Sequence, residues 1–434
     1  MHTDRLRTRT VFRALVCVAL ITGCSHHLRP KDIRPFHNSN LQRVEGLRWA
    51  LKNSPSTPVR VLLLHGMLTS EVGYSKTLQR QIIAKLGTDL IEGATNHDVI
   101  KRGYDVTVFD GPQPLNSKIK IPPSQLTTST WTDKQTKAAR IVFYEVLWAP
   151  PRDVVKNRFL ACFESGVKAD ECEAPGPNPI RPNTDYQGVL NRFAKNRLLV
   201  GGFADASIVL SNIGDVLRDD VSLAMCEIAL DVVAPGSPPA RTGRCDMKAL
   251  MHTDDEARAI NTKLSSAPFV AITHSLGSFL LLDGQIRFAV KRAKKDEDVV
   301  REMAAFYLLD NKTVFMRANQ VALLHLARLQ VACDDDPCPN RLLPKVEDIW
   351  SAPTELSQMT TYVAFNDHND ILGFELPPYL MERNIVGTLV NVSVRNPGWW
   401  VPVLLKDPLA SHLSSDRNAA VIEGIVEGFD LPHE

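Results

Sequence analysis

No run in this chain is long and apolar enough to cross a bilayer. The segment Ala14–Thr22 covers only 9 residues, where a spanning helix needs about 20. An excess of charge of one sign is also missing. Lys and Arg number 50 against 49 Asp and Glu, a formal net charge of +1, so the sequence carries no electrostatic footprint for nucleic acid. Cysteine is sparse, 8 residues in 434. Among the six from Cys162 onward there is no C-x-x-C pair or closely spaced histidine partner, which argues against a metal site. What remains is a long chain, 44% hydrophobic, with ample length for a large core and for one α/β domain carrying an insertion.

The most informative stretch runs from Ser266 to Arg292. Phe269–Thr273, preceded by Pro268, is a short apolar run with the composition of a buried strand. From Leu276 the apolar positions Phe279, Leu280, Ile286 and Val290 recur at helical spacing, and Lys291, Arg292, Lys294 and Lys295 collect near the negative pole. Between strand and helix stands Thr273-His274-Ser275-Leu276-Gly277. A serine at a sharp strand-to-helix turn has its hydroxyl lifted clear of the sheet, with the next backbone N–H aimed at the atom it would attack. By chance alone, any long chain can contain an S-x-G turn with no chemistry. The pentapeptide resembles the G-x-S-x-G nucleophile elbow of the α/β-hydrolase superfamily, in its H-S-L-G lipase and esterase form, with Thr273 in place of the first glycine. Glycine is usual there because helix and strand cross closely, so Thr273 implies a slightly wider crossing.

That resemblance implies a mostly parallel central sheet with helices on both faces, and it covers residues 58–150 and 265–434. Val59–Leu64 reads as a buried strand ending in His65-Gly66-Met67, the run that precedes the oxyanion loop in such proteins. The backbone N–H groups of Met67 and Leu276 are the oxyanion donors it implies, and His65 is read as a residue pinning the loop. A helix is expected over Leu78–Leu90, and strands over Tyr104–Asp110 and Ala138–Trp148. Residues 151–264 break the pattern with a Pro-rich stretch and amphipathic helical sequence, and are expected to form a cap or lid over the strand ends. Extra packing helices with no control over access are the competing reading.

Beyond the elbow, Thr313–Leu324 begins as a strand, and Thr361–Phe365 is another that leads into Asn366-Asp367-His368-Asn369-Asp370. The Asn369-Asp370-Ile371 run followed by Leu376-Pro377 resembles the segment around the acid of several lipases. This implies Asp370 as the carboxylate that orients the histidine, with Asp367 as the alternative. In the order Ser…Asp…His that the fold implies, only His412 and His433 remain. His433 is the penultimate residue, which leaves His412 as the general base. His274, His325 and His368 are read as packing or turn residues, though His274 could line the pocket mouth.

The N-terminus reads as an address. Arg5, Arg7, Arg9 and Arg13 precede the apolar run, and Ile21-Thr22-Gly23-Cys24 resembles the lipobox of bacterial lipoproteins. Residues 1–23 would then be a signal peptide, Cys24 a lipid site, and residues 24–57 a tether with room for one short element around Leu41–Leu51. Ser25 after the cysteine implies the outer membrane for that class. Without residues 1–23, the formal charge moves from +1 to about −2. Export suits the remaining Cys162, Cys172, Cys226, Cys245, Cys333 and Cys338, an even number that allows 15 pairings. Sequence neighbours are expected to pair, as Cys162–Cys172, Cys226–Cys245 and Cys333–Cys338.

The resulting expectation is a serine esterase or lipase that cleaves carboxylic esters at the bacterial envelope without metal or cofactor. Ser275 would be the nucleophile, His412 the base and Asp370 the orienter. Its partners would be an ester substrate and a membrane held through the lipid anchor. The alternative is a non-catalytic envelope lipoprotein that uses the same fold for binding.

Overall fold

The computed structural model describes residues 33–37, 41–67, 70–87, 89–99, 104–110, 113–160, 202–235, 253–293, 307–326, 360–378, 387–397, 400–401, 405–406 and 408–432. In chain order the first half contains β1 (Ile33–His37), β2 (Arg43–Glu45), α1 (Leu47–Asn53), β3 (Val59–Leu64), α2 (Lys76–Leu86), β4 (Leu90–Val99), β5 (Tyr104–Asp110), β6 (Gln113–Ile121), β7 (Gln125–Asp133) and β8 (Ala139–Leu147). Four helices follow: α3 (Ala149–Leu160), α4 (Ala204–Leu210), α5 (Ile213–Val233) and α6 (Asp254–Ser266). The second half adds β9 (Phe269–His274), α7 (Leu276–Ala293), β10 (Thr313–Arg317), α8 (Val321–His325), β11 (Thr361–Asp367) and β12 (Thr388–Val394). It closes with α9 (Pro408–Leu413), α10 (Ala419–Glu427) and a short strand, Gly428–Asp430, that pairs with β2.

Nine strands form one sheet in the order β1-β12-β11-β10-β9-β3-β8-β7-β4. The run from β12 to β8 is parallel, while β1 at one edge and β7 and β4 at the other are antiparallel. The parallel strands are apolar almost throughout because both of their faces are covered. Along β3, Val61 and Leu63 join a core shared with α1, α2 and α10, whereas Leu62 and Leu64 join a core shared with α5 and α7. Strands β9, β10 and β11 divide their side chains in the same alternating way. The molecule is therefore an α/β protein with a mostly parallel sheet between two helical layers.

Chain order matters for the site. From β3 the chain goes to β8 on one side, then returns to place β9 against the other side of β3. The strand order reverses there, and in open α/β sheets such a switch opens a crevice at the C-terminal strand ends.

Several expectations need correction. The helix expected over Leu78–Leu90 ends at Leu86, because Gly87 takes the left-handed conformation (φ 61°), and Leu90 already belongs to β4. The strand Tyr104–Asp110 forms, but it pairs with β6 in a separate two-stranded sheet. The antiparallel edge comes instead from β4 and from the threonine-rich β7, whose polar side chains hid the strand from an apolar-run reading.

Within the expected tether, the described residues 33–37 and 41–53 are built into the domain, with the short element expected around Leu41–Leu51 formed as β2 and α1. Strand β1 pairs with β12, and Val44, Leu47 and Leu51 are buried in the core. The region 151–264 is likewise not a separate cap throughout. The second half of α5, from Val221 to Val232, packs under the sheet with Tyr144, Ala271 and Leu282. Cys226 lies buried in that helix and is disulfide-bonded, while the other cysteines fall outside the described residues, as do Cys24 and the signal segment. Helices α3 and α4 and the start of α5 contribute Val155, Ile208, Val209 and Leu217 to a third apolar cluster, which includes Met67, Leu276, Phe279 and Leu372.

Candidate active site

Strand β9 ends at His274, and helix α7 starts at Leu276, so Ser275 alone makes the turn. It does so with φ 53°, a left-handed conformation that costs a residue with a side chain roughly 1–3 kcal/mol. The strain is held by what surrounds it. Ser275 N–H donates to the Arg317 carbonyl of β10 at 3.0 Å, and Ser278 N–H donates back to Ser275 O at 3.0 Å. Gly277 allows the close helix–strand approach. A Cβ there would stand 2.5 Å from the His65 carbonyl oxygen and 3.0 Å from that of Leu64, both backbone atoms. Where a glycine was expected, the hydroxyl of Thr273 pairs with that of Ser278 at 2.7 Å, and both residues are buried. The polar atoms of this threonine thus clamp the strand end to the first turn of α7.

Ser275, His412 and Asp370 are brought together from three separate parts of the chain. Ser275 Oγ lies 2.9 Å from His412 Nε2, and His412 Nδ1 lies 2.8 Å and 3.0 Å from the two Asp370 oxygens. A carboxylate only accepts, so His412 Nδ1 carries the proton and its Nε2 is free to accept from the serine hydroxyl. Ser275 and His412 are fully buried, and Asp370 is 4% exposed. The serine hydroxyl, expected to stand clear of the sheet, is closed off from solvent in this form. Asp370 is fixed in turn by donating its N–H to Asp367 O and accepting from Leu372 N–H, each at 2.9 Å. Gly373 is needed beside it, since a Cβ there would come within 2.5 Å of Asp370 Oδ2.

Asp367 does not face the imidazole. Its Oδ1 accepts from the Asn369 N–H and side-chain amide, each at 2.9 Å, and its Oδ2 accepts from Asn396 N–H at 2.7 Å. Asn396 was missed by sequence reasoning. Its side-chain Nδ2 donates to the Ser411 carbonyl at 2.7 Å, and its side-chain Oδ1 accepts from Asn418 Nδ2 at 2.8 Å. Through Asn396, the turn that carries Asp370 is tied to the residue preceding His412. The one visible signal was an asparagine before Pro397, which sequence alone reads as an ordinary turn.

The loop after β3 lies against the serine. A Cβ on Gly66 would be 2.4 Å from Ser275 Cβ, so glycine is required for that contact. Met67 is buried, with the Gln320 side-chain amide 3.8 Å from its sulfur. Leu276 is the first residue of α7, so its N–H has no acceptor within the helix. His65 sits underneath. Trp148 N–H donates to His65 Nε2 at 3.0 Å, which leaves the proton on Nδ1 to donate to Gly66 O at 2.7 Å. The indole of Trp148 stacks on the ring at 4.5 Å and donates to the His65 carbonyl. Burial, with Arg152 nearby, lowers the His65 pKa from 6.5 to about 3, so it is neutral at ordinary pH. Glu145, buried in β8, accepts from Gly73 N–H and Ser75 N–H and so holds the turn that leads into α2.

The remaining histidines are accounted for separately. His325 is buried in α8, and His368 is an exposed turn residue 3.3 Å from the Ser393 hydroxyl. His274, half-buried at the end of β9, touches His412. Among the described residues no group of three or more His, Cys, Asp or Glu side chains is placed to hold a metal ion. No helix among them is long and apolar enough to cross a membrane.

The fold and site together define an α/β protein with a buried serine–histidine–aspartate chain at the C-terminal end of a parallel sheet. No family model, no curated protein and no solved structure matches the chain.

Proposed function

We propose that the protein is a serine hydrolase of the α/β-hydrolase class that cleaves carboxylic esters. One observation carries the reading: Ser275 Oγ, His412 and Asp370 form a continuous hydrogen-bonded chain of 2.9 Å and 2.8 Å at a strained strand-to-helix turn. In the reaction, Ser275 Oγ attacks the ester carbonyl carbon while its proton passes to His412 Nε2. Asp370 stabilises the imidazolium so formed. The backbone N–H groups of Met67 and Leu276 receive the negative charge on the carbonyl oxygen. His412 then protonates the departing alcohol, and water, deprotonated by the same histidine, releases the acid from the acyl-enzyme. No metal or organic cofactor is called on by these steps.

The apolar cluster of Met67, Leu276, Phe279, Leu372 and helices α3 to α5 supports an apolar acyl group, as in lipid esters. The segment Ile21-Thr22-Gly23-Cys24 supports a lipid anchor on Cys24 and a place on the outer membrane. The local cysteine pairs Cys162–Cys172, Cys226–Cys245 and Cys333–Cys338 are proposed with it.

The test is a fluorophosphonate probe with a short-chain ester assay. The wild-type chain should label and hydrolyse, and Ser275→Ala should do neither while keeping its thermal transition. Labelling of that variant at the wild-type rate sinks the assignment.

A further inference from the structure

One contact of the site is not used by the chemistry above. His274 immediately precedes the serine, and its Nε2 lies 3.1 Å from the main-chain carbonyl of His412, with the two rings 5.2 Å apart. A carbonyl oxygen only accepts, so Nε2 must carry the proton of His274. Its Nδ1 is then bare and faces the loop after β3, where a Cβ on Gly66 would lie 2.7 Å from it. This one ring thus bridges the backbone of the base to the loop beside the serine.

The surroundings favour this neutral tautomer. Arg317 enters from β10, the strand paired with β9, and its register partner there is His274. Its side chain is 7% exposed, and its Nε has no hydrogen-bond partner among the described residues. His65 approaches from the end of β3 and His412 from α9, while Tyr74 and Asp416 stand near Arg317. Burial, and then the charge of Arg317, push the His274 pKa well below the usual histidine value. A second imidazolium this close to His412 would oppose the positive charge that His412 acquires in the reaction.

Resting on the serine-hydrolase reading, we propose that His274 is a positioning residue for the general base. As a neutral donor to the His412 carbonyl, it sets the His412 ring between Asp370 and Ser275. Arg317 supports it by keeping it uncharged.

The experiment compares His274→Phe, which fills the space but cannot donate, with His274→Gln, whose amide can reproduce the Nε2 donor. Folding is checked by circular dichroism. His274→Phe should lower kcat and the fluorophosphonate labelling rate on the order of 10²-fold, the scale of a misplaced catalytic group, with KM little changed. His274→Gln should recover most of the loss. A Phe variant as active as the Gln variant, or better, would make His274 a packing residue and overturn the proposal. Arg317→Met provides a second arm if the Phe variant misfolds. Without that charge His274 takes a proton more readily, so the acid limb of kcat should move to higher pH, and adding His274→Gln should move it back. An unmoved acid limb overturns the proposal too. If the wild-type chain neither labels nor hydrolyses esters, the serine-hydrolase reading fails and this proposal falls with it. If the wild type labels at Ser275 and His274→Phe labels equally fast, only the role of His274 fails.

Discussion

Two aspartates three residues apart have different tasks, and their hydrogen bonds separate them. Asp370 meets His412 Nδ1 with both oxygens, while Asp367 spends its oxygens on Asn369 and Asn396. Asp370→Asn should therefore cost on the order of 10⁴ in kcat, by analogy with the serine-protease aspartate, because an amide lets the histidine take the wrong tautomer. Asp367→Asn should act mainly on stability. It puts an amide where Oδ1 and Oδ2 now accept three hydrogen bonds, and leaving a buried donor such as Asn396 N–H unpaired costs about 1–3 kcal/mol. Denaturant titration and turnover of one short-chain ester at saturation would separate the two effects. Crippled turnover for Asp367→Asn with near-normal turnover for Asp370→Asn would reverse the assignment.

At the scale of elements, the crossing of β9 and α7 governs whether the elbow forms. Gly277→Ala places a methyl against the His65 and Leu64 carbonyls, which are backbone and cannot turn aside. Overpacking of this kind costs about 1–3 kcal/mol, and the strain should move Ser275. We expect a lower melting temperature together with slower probe labelling. Thr273→Val tests the other side of the same crossing. It keeps the shape but removes the partner of the buried Ser278 hydroxyl, so it should cost about 1–3 kcal/mol while labelling persists. A Thr273→Val variant as stable as wild type would show that the hydroxyl pair contributes nothing.

For the whole molecule, the buried neutral His65 makes stability depend on pH. Its pKa is about 3 in the folded chain against an ordinary 6.5, so between these values the unfolded chain holds a proton that the native chain refuses. Stability from this group is complete above the ordinary value and is lost as pH falls towards about 3. Urea midpoints measured across this range should fall with acid. His65→Phe, which stacks but cannot titrate, should be less stable near neutrality yet lose less on acidification. An equal slope for both chains would remove His65 as a cause. The proposed cysteine pairs and the proposed lipid anchor are also tested on the whole chain. Non-reducing peptide mapping should recover the three local cysteine pairs, and free thiols or a bridge between couples would refute them. Cys24→Ser should leave the membrane fraction, and quantitative sedimentation that resists salt would refute the anchor.

What could be read without the structure was local. The apolar run into Ser275, the run into His65-Gly66-Met67 and the Asn-rich turn at 366–370 are each signalled by residues a few positions apart. Strand, turn and helix starts are set by near neighbours. The choice of Asp370 over Asp367 leaned on a resemblance. In the structure Asp370 meets His412, while Asn396, 29 residues from Asp367, places its N–H on the Asp367 carboxylate. The sheet edges had the same limitation. Nothing in residues 33–37 announces that they pair with β12, more than three hundred residues away, because the benefit is a covered edge and a buried Ile33 rather than any local preference. Helix α5 was legible as amphipathic, but its place under the sheet depends on which apolar faces were left uncovered by the rest of the chain. His274 read as packing for the same reason, since its partner is the carbonyl of His412, 138 residues further along. Short-range sterics and periodicity wrote the elements into the sequence. The free energy of pairing distant surfaces, which no local window contains, decided how they met.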